Sequence, residues 1–290
     1  MVKPQATLEQ RLREAMAGFT PSERLLGSVL LEHYPISGLG TVTELAEAAG
    51  VSTPTVIRMA RKLGFDGFSD LQRALRDEVA DRIRAPMSKG TAWGTRPEDG
   101  HIIGRFAEAV ASNVRHTLHR LDQKDFDAAA GLLADAGRPV YIAGGRITRS
   151  LADYLFNHLQ IIRPRVTHLS QSSNVWPQYL VDMDATAVLV LFDIRRYESD
   201  LLKLARLAQE RGAAIVLLTD QWGSPVGRHA DHQFNALIEV PSNWDSTIAL
   251  MVIVEALIAH VQELRWDDSR ARIEELEGMF TQTRLFRDFT

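Results

Sequence analysis

The sequence predicts an all-α helix-turn-helix domain followed by an α/β domain built on a doubly wound parallel sheet. Three observations carry this. Residues 41–65, TVTELAEAAGVSTPTVIRMARKLGF, read as two short helices about a tight turn. Residues 85–100, APMSKGTAWGTRPEDG, interrupt the helical pattern with two Pro and three Gly and read as a linker. Beyond them, short apolar runs at 139–143, 186–192 and 214–219 alternate with helical stretches, the pattern of a parallel sheet wrapped in helices. The expected division is therefore residues 1–84, a linker at 85–100, and residues 101–290.

Taken in order, residues 1–18 are a polar, helical lead-in. Thr20-Pro21-Ser22-Glu23 is a capping box with Pro at the first helical position. The helix it opens carries Leu25, Leu26, Val29 and Leu30 and ends near Tyr34-Pro35. In the central pair, Thr41 and Glu44 form a second capping box, and Leu45, Ala46 and Ala49 share one face. Gly50 supplies the turn. Ser52 is expected to cap the second helix, with Pro54 tolerated in its first turn. Val56, Ile57, Ala60 and Leu63 are its expected buried side, and Gly64 its left-handed end. Gly67-Phe68-Ser69 opens a further helix through Leu71, Leu75 and Val79 to about Arg84. Trp93 in the linker reads as a docking anchor or an exposed aromatic.

In the second domain, helices are expected at 101–121 and 125–136. Strand 139–143 leads through a Gly-Gly turn into a helix at 148–161. Strand 165–169 is followed by the polar loop SQSSN and a short helix at 175–181. TAVLVLF at 186–192 is continuously apolar, as suits the centre of a parallel sheet. A helix at 198–211, strand 214–219, an edge strand within 233–240 and an apolar helix at 244–264 follow. A last helix at 268–289 places Ile273, Leu276, Phe280 and Leu285 near one face, packed on its own chain or on a second subunit.

Composition narrows the function classes. The 290 residues are 45% hydrophobic and 24% charged, long enough for two cores. There is no cysteine, so disulfides, thiolate metal sites and thiol nucleophiles are excluded. The opening residues hold no signal-type apolar core, and the run 248–254 is too short to span a bilayer. The expectation is a cytoplasmic protein with no membrane partner. Net charge is −4, and residues 1–84 hold eleven basic and eleven acidic side chains. Basic character is confined to Arg58, Arg61 and Lys62, so a nucleic-acid partner would need two or more copies of the chain.

The second helix of the pair has the make-up of a recognition helix. Ser52, Thr53 and Thr55 lead it and Arg58, Arg61 and Lys62 follow. Hydroxyls there reach base edges or phosphates, Arg58 suits a bidentate guanine contact, and Arg61 and Lys62 suit the backbone. A helical hairpin with a solvated polar face is the plainer alternative. In the sheet domain, ligands are expected at the C-terminal strand ends. Three loops there stand out: Gly144, Gly145, Arg146 and Thr148 after the first strand; Ser170, Ser172 and Ser173 after the second; Asp193 and Arg196 after the central one. The plain readings are a tight connection, a solvated loop, and an ion pair between Asp193 and an arginine. HADHQ at 229–233 reads first as connecting structure. No catalytic arrangement, Walker loop, Gly-x-Ser-x-Gly elbow or metal-type His spacing emerges, and nothing calls for a cofactor.

Both halves, in this order, resemble the RpiR-type bacterial transcriptional regulators, which join a helix-turn-helix domain to a SIS (sugar isomerase) domain. The N-terminal resemblance rests on FTPSERLL and on TVTELAEAAGVSTPTVIRMARKLGFDGFSDLQ. The C-terminal one rests on VYIAGG, RRY after the central strand, LLTD with SPVGRHAD, and WDSTIAL. The resemblance implies a cytoplasmic regulator of carbohydrate metabolism that binds an operator in double-stranded DNA. It also implies a sugar phosphate or related anionic carbohydrate as effector, and a homodimer or homotetramer. The sequence departs from the family's phosphosugar pattern, Gly-x-Gly-x-Ser after the first strand: Arg146 takes the second Gly position and Thr148 the Ser position. Asp193 stands where a Ser would. Arg146, Arg149, Arg195 and Arg196 could offset its charge, and Asp193 could bind sugar hydroxyls or orient Arg196. A sugar-phosphate isomerase, or a DNA-binding protein whose SIS domain only oligomerises, are the alternatives.

Overall fold

The computed structural model describes residues 8–32, 34, 36–83 and 101–284. The first seven residues of the lead-in, Pro35, the linker with Trp93, and Leu285 of the last helix lie outside them. The chain divides into two compact units, Met1–Ala85 and Pro86–Thr290.

The first unit is helical: α1 Leu8–Ala15, α2 Pro21–Glu32, α3 Val42–Ala48, α4 Thr53–Lys62 and α5 Phe68–Ile83. Both expected capping boxes form. Thr20 N–H donates to Glu23 Oε2 at 2.8 Å, and Thr41 N–H to Glu44 Oε2 at 2.7 Å, each answered by the threonine hydroxyl. α3 and α4 end alike. Gly50 (φ 62°) and Gly64 (φ 85°) take the left-handed position. Val51 N–H reaches the Ala46 carbonyl and Phe65 N–H the Ala60 carbonyl, so each turn closes with a six-residue hydrogen bond. The core gathers Leu12, Leu26, Leu30, Leu45, Val56, Met59, Ala60, Leu71 and Leu75.

The second unit holds α6 Ile102–Arg120, α7 Gln123–Ala134, β1 Val140–Gly144, α8 Arg149–Ile162, β2 Val166–His168, α9 Trp176–Val181, β3 Val188–Asp193, α10 Ser199–Glu210, β4 Ala214–Asp220, β5 His232–Ala236, α11 Ile248–Leu264 and α12 Trp266–Thr283. The strands form one parallel sheet in the order β2-β1-β3-β4-β5. Alternation along β3 sends Val188, Val190 and Phe192 into a core with α7, α8 and α11, and Leu189 and Leu191 into one with α9 and α10. Both faces are thus covered, which is why β3 is apolar up to its final residue, Asp193.

Element boundaries differ from expectation in several places, among them α7, which runs Gln123–Ala134 rather than 125–136, and β5, which begins at His232. The apolar helix begins at Ile248 rather than 244, because residues 241–247 form a turn in which Ser246 N–H donates to the Ile238 carbonyl at 2.8 Å. Trp244 is left exposed. The last helix begins at Trp266, packs on α8, and ties Arg272 Nε to the Gln160 carbonyl at 2.9 Å. Arg163 is wholly buried at the edge remote from the C-terminal strand ends. Its guanidinium donates to the carbonyls of Leu133, Arg138 and Pro164, and burial lowers its pKa to about 10.

Candidate functional site

On the first unit the exposed surface of α4 is narrower than its sequence suggests. Ser52, Arg58, Arg61 and Lys62 are exposed and Thr53 half-buried. Thr55 is buried and corrects the expectation that it faces outward: its hydroxyl lies 3.0 Å from that of Ser52 and accepts from Arg58 at 3.2 Å. Ser52 does not cap the helix with its side chain, because that hydroxyl is turned to Thr55. Met59 is buried in the place expected of Ile57, which is half-buried. The spacing 56, 59, 60, 63 would have identified Met59. Lys62 is tied to the buried Glu23 of α2 at 2.7 Å. Burial raises the Glu23 pKa, but hydrogen bonds from Lys62 and Thr20 outweigh it and hold the carboxylate low. Ile57 and Arg61 line a shallow groove with Val42, Gly67, Ser69 and Arg73. Arg58 and Arg61 are the two cations the helix presents outward.

On the second unit the loops after β1 and β3 flank the point where the sheet order reverses, the usual ligand crevice of open parallel sheets, and the loop after β2 follows the strand next to β1. Hydrogen bonds tie them to one another. Gly145 N–H and the Thr148 hydroxyl both donate to the Phe192 carbonyl, at 3.1 and 2.7 Å. Arg146 N–H donates to Glu198 Oε1 at 2.6 Å. The Ser173 hydroxyl donates to Asp200 Oδ2 at 2.7 Å.

Several expected ligand contacts are thereby structural. Thr148 is 2% exposed and spends its hydroxyl on the backbone. A Cβ at Gly144 would stand 2.7 Å from the Thr148 carbonyl oxygen, so Gly144 serves a close backbone approach. Asp193 is also 2% exposed. It accepts from the Ser224 hydroxyl and from Glu198 N–H rather than from Arg196. Burial pushes its pKa up to about 7, against those two hydrogen bonds and with the charges of Asp220 and Glu198 adding to the rise. Asp220 is buried alongside and accepts from Arg195 N–H, the Tyr197 hydroxyl and Trp222 N–H. Its pKa is raised by burial, with those hydrogen bonds opposing.

The arginines divide. Arg195 is pinned to Glu239 at 3.0 Å and Asp245 at 3.4 Å, over the Trp222 ring. Arg149 reaches the Leu169 carbonyl and Asp153. Arg146 and Arg196 are exposed, and among the described residues neither guanidinium has an ion pair. Arg196, in the loop after β3, also adopts φ 67°, a left-handed conformation that is strained for a side-chain-bearing residue. Ser170 is half-buried and Ser172 exposed. Glu198, Asp220 and Ser224 were not singled out from the sequence; the acid six residues beyond Phe192 was visible, but not its partner 52 positions earlier.

Among the described residues no group of three or more His, Asp or Glu is placed to hold a metal ion, and no helix is long and apolar enough to cross a membrane. Comparison with known families matches the helix-turn-helix domain of the rpiR family over residues 6–82 and the SIS domain over residues 132–260. The chain belongs to the RpiR family. It is a helix-turn-helix transcriptional regulator with a SIS domain.

Relatives of this RpiR-family chain include the HTH-type transcriptional regulator HexR of Escherichia coli (strain K12), 24% identical over 261 residues, covering 86% of this chain and 85% of HexR. The HTH-type transcriptional regulator RpiR of the same strain is 24% identical over 272 residues, covering 91% and 88%. Among solved structures, the Vibrio vulnificus NanR protein complexed with ManNAc-6P aligns with a TM-score of 0.57 at 19% identity, covering 97% of this chain and all of that one. The sugar isomerase domain of an RpiR transcription factor from Sphaerobacter thermophilus aligns with a TM-score of 0.56 at 23% identity, covering 60% and 97%. These structural likenesses are of fold.

Proposed function

We propose that this RpiR-family regulator binds an operator through α4 and changes its DNA affinity when a small anionic carbohydrate enters the crevice of the SIS unit. The observation that carries the reading is the convergence of the β1 and β3 loops at the switch point, in a chain that also carries the helix-turn-helix domain of the rpiR family. Ser52, Thr53, Arg58 and Arg61 are the DNA-contacting set. Arg146, Arg196, Ser170 and Ser172 are the effector-contacting set, with Gly144 and Gly145 shaping the loop. The sugar phosphate bound to the NanR relative supports this class of effector. The regulated genes would be those of carbohydrate metabolism.

The reading is of a binding protein rather than an isomerase. A proton-transferring pair must reach substrate, and Asp193 and Asp220 are both buried within their own hydrogen bonds. We take the working form to be a homodimer or homotetramer in the cytoplasm, because the two outward cations of one α4 make few phosphate contacts alone. The test is operator binding by the purified full chain with and without a panel of sugar phosphates and sugar acids. A compound that shifts DNA affinity without being turned over supports the reading. Turnover would make the SIS unit an enzyme. DNA binding indifferent to every compound would leave it an oligomerisation module.

A further inference from the structure

Several backbone and hydroxyl donors at the C-terminal strand ends, of the kind a phosphate group would need, are engaged by the chain's own acceptors. Four of those acceptors are carboxylates: Glu198 on Arg146 N–H, Asp193 on Glu198 N–H, Asp220 on Arg195 N–H and Asp200 on the Ser173 hydroxyl. Glu198 has the most telling position. It stands at the N-cap of α10, yet its side chain does not cap that helix. It crosses instead to the loop after β1. There Gly145 leaves room for it: a Cβ at residue 145 would stand 2.8 Å from Glu198 Oε1 and 3.1 Å from its Cδ. The missing side chain of Gly145 thus accommodates the protein's own carboxylate, at the place where a glycine loop would otherwise admit an anion.

We propose that Glu198 is the resident anion of the effector site and a specificity-determining residue that bars phosphate groups from it. The inference rests on the effector reading above and narrows it: the effector is a sugar acid rather than a sugar phosphate. A phosphate dianion at the loop meets a fixed like charge and finds the Arg146 amide occupied. A sugar hydroxyl donates to the carboxylate instead, a charge-assisted bond, while the exposed Arg146 and Arg196 guanidiniums suit the acid group.

The first experiment is thermal unfolding of the full chain, wild type and E198S, in inorganic phosphate against chloride at matched ionic strength. Phosphate should leave wild type unmoved, raise the Tm of E198S by about 3 °C or more, and bind E198S roughly tenfold or more tightly than wild type. Wild type stabilised as strongly as E198S would overturn the proposal, because Glu198 would not be guarding the loop. An E198S that gains nothing would overturn it too, because the loop would hold no anion. A second measurement needs no ligand. G145A should lower the Tm of wild type and cost clearly less in the E198S background; equal costs would mean that the carboxylate is not seated on Gly145, and would sink the idea. Finally, across paired sugar acids and sugar phosphates, any compound that shifts wild-type operator binding should be an acid, and a sugar phosphate that does so refutes the proposal. Failure of the effector reading itself looks different: no carbohydrate alters operator binding in either protein, while the phosphate response and the Gly145–Glu198 coupling still stand or fall on their own.

Discussion

Asp193 stands at the end of the central strand, 2% exposed, with burial pushing its pKa from 3.8 to about 7. The folded state therefore holds a proton there that the unfolded chain releases at lower pH. Its contribution to stability is fully present below about pH 4 and is lost as pH rises through about 7. A rise of that size is worth about 4 kcal/mol at most. Asp193→Asn removes the charge and keeps an oxygen for Glu198 N–H. Urea denaturation should show wild type losing stability relative to this variant between pH 4 and pH 7.5, with a flat difference above; a constant difference across that window would mean that Asp193 is not titrating. The sequence showed an acid in an unusual place, but not that it turns inward, because its partner Ser224 is 31 residues further on. Lys62 is the same lesson with the opposite charge. It reads as a phosphate contact until Glu23, 39 residues earlier, is placed beneath it. Lys62→Ala should cost about 1–2 kcal/mol of stability, discounted because the lysine end is half-exposed. Chemical denaturation of Lys62→Ala and Lys62→Ala/Glu23→Gln separates this from a DNA role: the double variant should recover much of the loss.

At the scale of elements, the helix-turn-helix was legible because its determinants are local. Both capping boxes join residues three apart, and each terminating glycine stands two positions past the last residue of its helix. The sheet was legible for a similar reason: a strand buried on both faces must be apolar along its whole length, as Val188–Asp193 is up to its final residue. The loops at the strand ends were not legible in this way. Their hydrogen bonds join Arg146 to Glu198 and Thr148 to Phe192, over 52 and 44 residues, and no local pattern encodes such a pairing. Local encoding makes a local prediction. Gly50→Ala and Gly64→Ala place a Cβ at φ 62° and 85°, and each should destabilise the first unit by about 1–2 kcal/mol. Asparagine at either position, which tolerates this conformation better, should cost less. Thermal unfolding followed by circular dichroism checks the order, and an alanine variant as stable as wild type would show that the turn relaxes without strain.

For the whole molecule, the question is how a chain of net charge −4 holds DNA. Its outward cations on α4 are reduced to Arg58 and Arg61, since Lys62 is committed to Glu23. One α4 then offers few of the phosphate contacts that ordinary operator affinity requires, and counterion release from so few contacts is small. Two chains on half-sites about 34 Å apart double the contacts and read both halves of a palindrome. The affinity should therefore depend on protein concentration through assembly. Its salt dependence should exceed what the cations of one α4 can account for. Arg58→Ala should cost about 1–3 kcal/mol per half-site in specific binding and relax preference at one base pair, with assembly unchanged. Arg61→Ala should weaken all sequences about equally and flatten the salt slope. Electrophoretic titration across a salt series, with sedimentation of the same samples, distinguishes the two roles. If Arg58→Ala leaves the specificity ratio untouched, base reading has to be assigned instead to Ser52 and Thr53, which lead α4 and are the remaining polar side chains at its outward N-terminus.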